Sequence, residues 1–367
     1  MSVHPKHYLF CPGPVLVAPE VQLALIHKQI CHRVPDFEAV IQNTQQGLRK
    51  IFGADDRYTV LLITGSGTAA NETTLSSVFG ARDKVLLVNN GVFGDRLETL
   101  LDIHEVPARV VRYPWGQPVR DEDLEQALRE DADITAIAMV CHETSTSVIN
   151  PVSAVGRLAE KYGKRYFVDA VSAVGGEDLD VVRDHIDFCT CSSNKCLASL
   201  AGVGIICVKR SILESLPTAK PRNAYLNLHS LYRFSEELHQ TPNTPSVTMF
   251  IALEAAVKRL LDEGLENQID RHRRCARIIR EGVRAMGLKT LVGDDIASNT
   301  VTSVFLPQEA NLAAFITSLE EQGFTVYPGK GPLLEKNMFQ IANMGQIDED
   351  DCRRFLAVMA RTLERFT

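Results

Sequence analysis

The sequence predicts an α/β protein whose large, mostly parallel sheet is covered by helices on both sides and is followed by a smaller α+β domain. Apolar, β-prone runs alternate with helical segments between Tyr58 and Asp169, which is typical of such a doubly covered sheet. Beyond Ser246, long helical segments dominate instead. Because the 367 residues exceed what one small core organises, we expect two domains. We place an N-terminal arm and the large domain in residues 1–260 and the small C-terminal domain in residues 261–367.

Each element is predicted from its own residues. Short runs rich in Val, Ile, Leu, Phe and Tyr predict strands, and apolar residues spaced three to four apart predict helices. The turn Pro12-Gly13-Pro14 ends an N-terminal arm that precedes the first helix. The predicted strands cover residues 58–63, 84–88, 108–113, 134–140, 166–168, 186–190, 203–208, 301–305, 325–327 and 338–341. The predicted helices cover residues 19–29, 37–52, 69–77, 91–101, 121–130, 151–162, 247–263, 266–286, 311–322 and 349–366.

Composition and charge exclude several classes of protein. The net charge is -7 and no stripe of Lys and Arg runs along the chain, so we expect no nucleic-acid partner. No apolar run reaches membrane-spanning length and no signal segment is visible, so we expect no membrane contact and a cytoplasmic location. The nine cysteines form no Cys-x-x-Cys pair, which disfavours a disulfide framework and a metal site. Cys196 directly follows a lysine of interest, and its role stays open.

Lys195 is the first candidate for chemistry. It stands in a short polar turn between two apolar runs, at residues 186–190 and 203–208. A lysine held between buried strands loses hydration, which lowers its pKa and leaves a neutral, nucleophilic amine. Such an amine can form a Schiff base with a carbonyl group. The alternative is a solvated lysine on a surface β-turn.

A glycine-rich turn, Gly65-Ser66-Gly67-Thr68, joins a predicted strand to a predicted helix. Backbone N–H groups at a helix N-terminus bind phosphate, and the hydroxyls of Ser66 and Thr68 add donors. The run lacks the Gly-Lys-Ser/Thr ending of a P-loop, and an ordinary tight turn explains it equally well.

Three further strand ends carry groups that suit a ring-shaped ligand. Asp169 can face a cation such as a protonated pyridine nitrogen, or it can cap a helix. Phe93 can stack on a ring or pack in the core. Thr144 and Ser145 can donate hydrogen bonds to a ligand or cap a loop. Together with Lys195 and the glycine-rich turn, these are the parts that a pyridoxal 5'-phosphate (PLP) site requires.

The chain resembles the class V, fold-type I PLP enzymes, and within them the 2-aminoethylphosphonate–pyruvate transaminase branch. The resemblance covers essentially the whole chain and is specific in the combination of its motifs. One further motif, at residues 32–37, is more similar to the alanine–glyoxylate branch of the same class. The segments that carry the resemblance are Pro12-Gly13-Pro14, Gly65-Ser66-Gly67-Thr68, Asn90-Gly91-Val92-Phe93-Gly94, His142-Glu143-Thr144-Ser145-Thr146, Phe167-Val168-Asp169-Ala170, Ser192-Ser193-Asn194-Lys195-Cys196, Asn243-Thr244-Pro245 and Tyr327-Pro328-Gly329-Lys330.

The resemblance implies a role for each of these groups. Lys195 holds PLP as a Schiff base and moves protons, and Asp169 pairs with the pyridine nitrogen. Phe93 stacks on the ring, Thr144 lies near the ring oxygen, and Asn194 provides a polar group beside the lysine. The family is homodimeric, with each active site at the subunit interface. The residues that the resemblance assigns to the phosphate are Ser66, Gly67, Thr68 and Thr244 of the partner subunit.

One position departs from the family pattern. The segment of residues 338–345 matches a family segment in which an arginine occupies the place of Gln340 and grips the carboxylate or phosphonate of the substrate. A neutral amide does not replace a bidentate charged fork without a large loss in anion affinity. The departure therefore disfavours recognition of pyruvate. Other candidates for binding the substrate's phosphonate are His32, Arg33 and Lys330.

On this basis the sequence favours a PLP-dependent ammonia-lyase that acts on 1-hydroxy-2-aminoethylphosphonate. After Lys195 removes a proton, hydroxide leaves from the neighbouring carbon, and hydrolysis then yields ammonia and phosphonoacetaldehyde without any keto acid. The alternative is a 2-aminoethylphosphonate–pyruvate transaminase whose anion binding is rebuilt around Gln340. A non-catalytic PLP-binding protein is a remote third hypothesis, because Lys195 and Asp169 are both present.

Overall fold

The alternation of strands and helices expected from the sequence is present in the structure. The computed structural model describes residues 7–26, 29–216 and 221–366. The strands within these residues are β1 (Tyr8–Leu9), β2 (Tyr58–Thr64), β3 (Val85–Asn89), β4 (Ala108–Arg112), β5 (Ala136–Val140), β6 (His142–Glu143), β7 (Val148–Ile149), β8 (Arg165–Asp169), β9 (Phe188–Ser192), β10 (Val203–Lys209), β11 (Lys289–Thr290), β12 (Val301–Phe305), β13 (Phe324–Thr325), β14 (Tyr327–Pro328) and β15 (Met338–Ala342). The helices are α1 (Pro19–Leu23), α2 (Pro35–Ile51), α3 (Gly67–Val78), α4 (Val92–Ile103), α5 (Asp121–Glu130), α6 (Val152–Lys161), α7 (Arg210–Ser215), α8 (Leu228–Leu238), α9 (Val247–Glu263), α10 (Leu265–Ala285), α11 (Leu312–Glu321) and α12 (Glu349–Leu363).

Most predicted elements lie within two residues of their observed bounds. The predicted strand at 301–305 and the helices at 121–130 and 247–263 agree residue for residue. The first helix is shorter than expected, because α1 passes into a 3₁₀ turn at Ala24–Ile26. Residues 27 and 28 of the predicted helix lie outside the described residues. The structure adds α7, α8 and the short β6–β7 hairpin, for which no prediction was made.

The large sheet has seven strands in the order β2-β10-β9-β8-β5-β3-β4. All neighbouring pairs are parallel except those of β10, which is antiparallel to both β2 and β9. Strands such as β3 and β5 are buried at every residue, which explains why their sequences are continuously apolar instead of alternating. The mostly parallel sheet is therefore confirmed.

Helices cover this sheet on both faces. One apolar layer includes Phe37 of α2 and Phe250 of α9, whose ring centroids lie 5.8 Å apart. The other layer includes Leu75 of α3 and Leu97 of α4, both without solvent exposure. Burial of these side chains from both sides stabilises the sheet by the hydrophobic effect.

A second sheet, in the order β11-β12-β15-β14, is antiparallel and packs with α10, α11 and α12. The N-terminal arm reaches this part of the molecule, because β1 pairs in parallel with β13 and Tyr8 stacks on Phe324 at 5.1 Å. The division into domains at residue 260 stays a prediction. Among the described residues, no helix combines the length and apolarity needed to cross a membrane.

The direction of the strands decides where polar groups gather. Six of the seven strands of the large sheet run the same way, so their carboxyl ends lie along one edge. Ligands of parallel α/β sheets bind at this edge. The predicted site segments follow the carboxyl ends of β2, β3, β5, β8 and β9.

Candidate functional site

Lys195 lies in the connection between β9 and β10, next to the partly exposed Asn194. Its Nζ donates a hydrogen bond to the carbonyl oxygen of Pro12 in the N-terminal arm. A Cβ at Gly13 would lie only 2.8 Å from this Nζ, so the glycine leaves room for the lysine. Burial, followed by the positive charge of Lys330, lowers the pKa of Lys195 to about 8. A neutral amine is therefore accessible at mildly alkaline pH.

Asp169 ends β8 and is only 4% exposed. Its Oδ2 accepts a hydrogen bond from Nδ2 of Asn71 at 2.6 Å, and its Oδ1 accepts one from the backbone N–H of Val171 at 3.0 Å. The Asn71 amide is held in this orientation because its oxygen accepts a hydrogen bond from the Thr190 hydroxyl. Burial raises the pKa of Asp169 above its ordinary value, although the two hydrogen bonds oppose the rise. A cation beside this carboxylate would relieve the cost of its burial.

The glycine-rich turn after β2 leads directly into α3. Ser66 is the N-cap residue, but its side chain makes no capping hydrogen bond to the first turn. The N–H groups of that turn therefore retain their capacity for an external acceptor. A Cβ at Gly67 would lie 2.6 Å from Cγ2 of Val171, so the glycine lets the helix N-terminus approach the end of β8. The turn and Asp169 thus lie side by side.

Phe93 lies in the first turn of α4, which a buried carboxylate holds in place. The backbone N–H groups of Phe93 and Gly94 both donate to Oε2 of Glu143 at 3.1 Å. The hydroxyl and the backbone N–H of Ser145 donate to Oε1 of the same carboxylate. A Cβ at Gly91 would lie 2.4 Å from Cδ of Glu143, so only glycine permits this close approach. Glu143 therefore fixes the position of Phe93 at the sheet edge.

Replacement of Glu143 by glutamine should change how stability depends on pH. Burial raises the pKa of Glu143 from 4.5 to about 7. Between these values the folded protein keeps a proton that the unfolded chain has released, so the wild type loses stability as the pH rises from about 5 to about 7. Glutamine does not titrate, but its NH₂ group would face the N–H of Ser145, at a cost of about 1–3 kcal/mol. The gap in unfolding free energy between wild type and Glu143→Gln should therefore narrow with rising pH.

Urea denaturation of the cofactor-free proteins between pH 5 and pH 8 measures this gap. Glu122→Gln, which removes an exposed carboxylate on α5, is the matched control and should keep a constant difference from the wild type. A pH-independent gap for Glu143→Gln would contradict the buried, titrating carboxylate.

Gln340 lies on β15 of the small sheet and is 1% exposed. Its Nε2 donates to the carbonyl oxygen of Thr144 and to Oγ of Ser303, and Ser303 is hydrogen-bonded to Ser147 at 2.7 Å. Because a carbonyl oxygen only accepts, the amide nitrogen must lie on this side. Oε1 of Gln340 has no hydrogen-bond partner within the described part of the chain. Gln340 thus joins the two sheets through neutral hydrogen bonds and contributes no positive charge.

Arg33 contacts a different segment, the connection between α8 and α9. Its Nη1 donates to Oε1 of Gln240 at 2.6 Å and to the carbonyl oxygen of Thr241 at 2.8 Å. This connection also carries Thr244, which is exposed. Over residues 7–26, 29–216 and 221–366, no hydrogen bond or ion pair joins His32 or Arg33 to the other predicted site residues.

Lys195, Asp169, Phe93 and Lys330 come close together. The positive charge of Lys195 acts on the carboxylate of Asp169, and that of Lys330 acts on Lys195. The Lys330 Nζ also lies 5.2 Å from the centre of the Phe93 ring. An anion-binding helix N-terminus, a buried carboxylate, an aromatic ring and a basic amine therefore share one edge of the sheet.

Sequence reasoning missed three residues of this site. Asn71 follows Gly67 by four residues and Arg96 follows Phe93 by three, so helical spacing alone places each pair on a common face. Glu143 stood within a recognised motif but had no assigned role. A carboxylate between two polar strand-end residues is a signal that would have identified it.

The family model described as Aminotransferase class-V matches residues 20–341 of the chain. The chain belongs to the class V aminotransferases. PLP is therefore the cofactor of this class V aminotransferase, and its fold is that of the fold-type I PLP enzymes, as the resemblance implied.

Individual proteins agree with this assignment. An uncharacterized aminotransferase of Methanocaldococcus jannaschii is 34% identical over 360 residues, covering 98% of this chain and 93% of that protein. A 2-aminoethylphosphonate–pyruvate transaminase of Klebsiella pneumoniae is 32% identical over 361 residues, covering 96% and 97%. The crystal structure of a ureidoglycine–glyoxylate aminotransferase from Bacillus subtilis superposes with a TM-score of 0.93 at 28% identity, covering 99% and 94%. These similarities favour amino transfer, and none of them supports the elimination reaction preferred from the sequence.

Proposed function

We propose that this class V aminotransferase transfers the amino group of a small aminophosphonate, 2-aminoethylphosphonate, to pyruvate. The observation that carries the proposal is the similarity, over 96% of the chain, to 2-aminoethylphosphonate–pyruvate transaminases. This reverses the order of the two hypotheses drawn from the sequence, because the lyase rested on the absence of a single arginine. Amino transfer is the reaction named for these relatives, so it requires no change of reaction type.

The residues of this chain fit PLP in charge and in shape. Asp169 carries a buried carboxylate that no described lysine, arginine or histidine pairs with, and a protonated pyridine nitrogen would compensate it. The uncapped N-terminus of α3, with Ser66, Gly67 and Thr68, suits the dianionic phosphate. Phe93 offers its ring for stacking on the pyridine. We assign these residues to the cofactor on that basis.

The chemistry divides between cofactor and protein. Bound PLP supplies the electron sink for negative charge on the carbon beside the substrate nitrogen. The Nζ of Lys195 attaches the cofactor, and in its neutral form it accepts the proton from that carbon and returns it during the transfer. Asp169 would compensate the positive charge of a protonated ring nitrogen, and Glu143 holds Phe93 in place through a backbone hydrogen bond. Thr144 is oriented by its hydrogen bond from Gln340.

We also propose a homodimer in which Thr244 reaches the phosphate of the partner subunit's site. Thr244 is exposed on a connection that is held from both sides, by Arg33 and by a 2.9 Å hydrogen bond from the Ser246 N–H to Thr64 Oγ1. A held but exposed segment suits a contact with a second copy. In this proposal Arg33 and His32 shape that contact instead of gripping the phosphonate.

Replacement of Thr244 by alanine should weaken PLP binding by about tenfold through the loss of one hydrogen bond to a charged group. Equilibrium dialysis measures the affinity, and light scattering measures the mass of the particle. Thr317→Ala, which removes an exposed threonine of α11, should leave the affinity within about threefold. A monomer that binds PLP normally would overturn the proposed dimer site.

The ammonia-lyase remains a second candidate because of one observation. Gln340 makes only neutral hydrogen bonds at the position where the resemblance implies an arginine for the substrate's anion. An enzyme that eliminates ammonia needs no keto acid, so the loss of an anion grip is less costly there.

Two reaction mixtures separate the candidates. In the first, the purified protein receives 2-aminoethylphosphonate and pyruvate, and we expect alanine and phosphonoacetaldehyde. In the second, it receives 1-hydroxy-2-aminoethylphosphonate without a keto acid, and we expect no ammonia above the enzyme-free rate. Ammonia in the second mixture and no alanine in the first would contradict the transaminase and support the lyase.

A further inference from the structure

Two cations lie over the same aromatic ring at the candidate site. The guanidinium carbon of Arg96 lies 4.8 Å from the centre of the Phe93 ring, and the Nζ of Lys330 lies 5.2 Å from it. Arg96 belongs to α4 of the large sheet's helical cover, whereas Lys330 follows β14 of the small sheet. The site therefore places one positive charge on each side of the junction between the sheets.

Neither cation is neutralised within the described residues. No ion pair joins Arg96 or Lys330 to a carboxylate in this part of the chain, and the hydrogen bond of Arg96 goes to the hydroxyl of Thr68 at 3.1 Å. Glu143 acts on Lys330 in the opposite direction, but its carboxylate is already occupied by N–H and O–H donors. Burial of Lys330 and the charge of the exposed Arg96 both lower the pKa of Lys330, and an anion bound beside the two cations would favour the charged lysine.

The two charges also lie near the reacting amine. Lys330 contributes more than any other charged group to lowering the pKa of Lys195, and Arg96 contributes in the same direction. An acidic group two carbons from a substrate nitrogen must bind within a few ångströms of this lysine. Arg96 and Lys330 are thus positioned on the scale of a small aminophosphonate.

Gln340 cannot supply the missing charge. Its amide nitrogen is committed to Thr144 and Ser303, and the side chain is 1% exposed. A phosphonate has up to two negative charges, and burying it without cations would be strongly unfavourable. The cations must come from elsewhere in the site.

We propose that Arg96 and Lys330 together bind the phosphonate group of the substrate, in place of an arginine at position 340. This inference rests on the proposed function of the same site and adds the residues that recognise its substrate. Arg96 offers the planar, two-pronged donor that suits a phosphorus oxyanion, and the contact with Thr68 orients it. Lys330 supplies a point charge from the opposite side.

The cofactor phosphate is the competing source of a similar anion, because Arg96 donates a hydrogen bond to the hydroxyl of Thr68, a residue that we assign to that phosphate. Two observations favour the substrate. The uncapped N-terminus of α3 already provides N–H groups for one phosphate. The charge of Lys330 lowers the pKa of Lys195, and its Nζ lies 5.2 Å from the centre of the Phe93 ring. A substrate would meet the reacting amine in this region. The experiment therefore measures both anions separately.

The test uses the PLP-loaded enzyme and ethylphosphonate, which has the phosphonate but no amine to react. Calorimetry gives its dissociation constant for the wild type, Arg96→Gln, Arg96→Lys and Lys330→Gln. We expect about 10- to 100-fold weaker binding for either glutamine variant and a smaller loss for Arg96→Lys, which keeps the charge. KM for 2-aminoethylphosphonate should rise in parallel, whereas kcat should change less. Arg109→Gln is the control. It removes an arginine of β4 that pairs with Glu130, and this variant should bind ethylphosphonate like the wild type.

A second arm measures PLP and pyridoxal, which lacks the phosphate, on the cofactor-free proteins. We expect the affinity of each variant for both compounds to stay within about threefold of the wild type. If the variants lose affinity for PLP but not for pyridoxal, the pair belongs to the cofactor phosphate and the inference is overturned. Unchanged ethylphosphonate binding in the variants, or no binding to the wild type, overturns it equally.

Failure of the proposed function has a different signature. Suppose that the wild type binds ethylphosphonate through Arg96 and Lys330 but makes no alanine from 2-aminoethylphosphonate and pyruvate. That result would support the anion site and contradict the transaminase activity. If the wild type makes alanine and both glutamine variants have the same KM as the wild type, the transaminase activity is supported and the proposed anion site is contradicted. Thermal unfolding and the visible absorbance of bound PLP confirm that each variant is folded and loaded.

Discussion

Replacement of Lys195 by alanine should lower the rate of amino transfer by about 10⁴-fold or more, because in the proposed site both the covalent attachment of PLP and the proton transfer depend on its amine. The visible absorbance band of the attached cofactor should disappear as well. The amine is prepared for this role by burial and by the charge of Lys330, which hold its pKa near 8. Alanine formation and the absorbance spectrum measure the two effects independently.

Lys161→Ala is the matched control for this result. Lys161 is an exposed lysine on α6 that pairs with Glu125, and its loss should change the rate by less than about twofold. If Lys195→Ala kept the absorbance band and a rate within tenfold of the wild type, the assignment of the whole site would fail.

Replacement of Asp169 by asparagine should lower kcat by about 10²- to 10³-fold, because in the proposed site its negative charge compensates a protonated ring nitrogen of the cofactor. The affinity for PLP should fall as well. The cofactor-free protein should lose at most about 1–3 kcal/mol of stability, because the NH₂ group of the asparagine must face either the amide of Asn71 or the N–H of Val171. Burial raises the pKa of Asp169, so its charge is a cost to the cofactor-free fold that asparagine does not carry.

A large loss of kcat with only a small loss of stability distinguishes a functional charge from a structural one. Urea denaturation of the cofactor-free protein gives the stability, and steady-state kinetics give kcat. Asp178→Asn, which removes an exposed carboxylate paired with Arg183, should change neither quantity appreciably. A variant at Asp169 that unfolds readily but turns over normally when loaded would show that the carboxylate only holds the turn at Val171.

Much of the fold could be predicted from the sequence because helices and strands follow local periodicity. The long helix at 247–263 and the buried strand at 301–305 were predicted to the residue. Helix α8 was not predicted, although Asn227 caps it and Leu228 and Leu231 give it a buried face. The short strands β6 and β7 were not predicted because two-residue strands have no period of their own and form only by pairing with each other.

The candidate site divides in the same way. Lys195, Asp169 and the glycine-rich turn could be proposed from the sequence because each lies in a polar segment that follows an apolar, strand-like run. Arg96 was not found, because its relation to Lys330 depends on how α4 meets the second sheet. The comparisons favour amino transfer, the alternative drawn from the sequence, over elimination, because the preference for elimination rested on one residue, Gln340.

The sequence by itself determined the order of the elements and the chemical character of the strand ends, because periodicity and residue type are properties of neighbouring residues. Only the tertiary structure decided which of these groups meet. Glu143 reaches the N-terminus of α4 across 50 residues, Lys195 reaches Pro12 across 183, and Gln340 reaches Thr144 across 196. Such contacts are set by the packing of whole sheets and helices against one another. That packing gives Lys195, the lysine of the predicted site, its low pKa and its neighbouring charges.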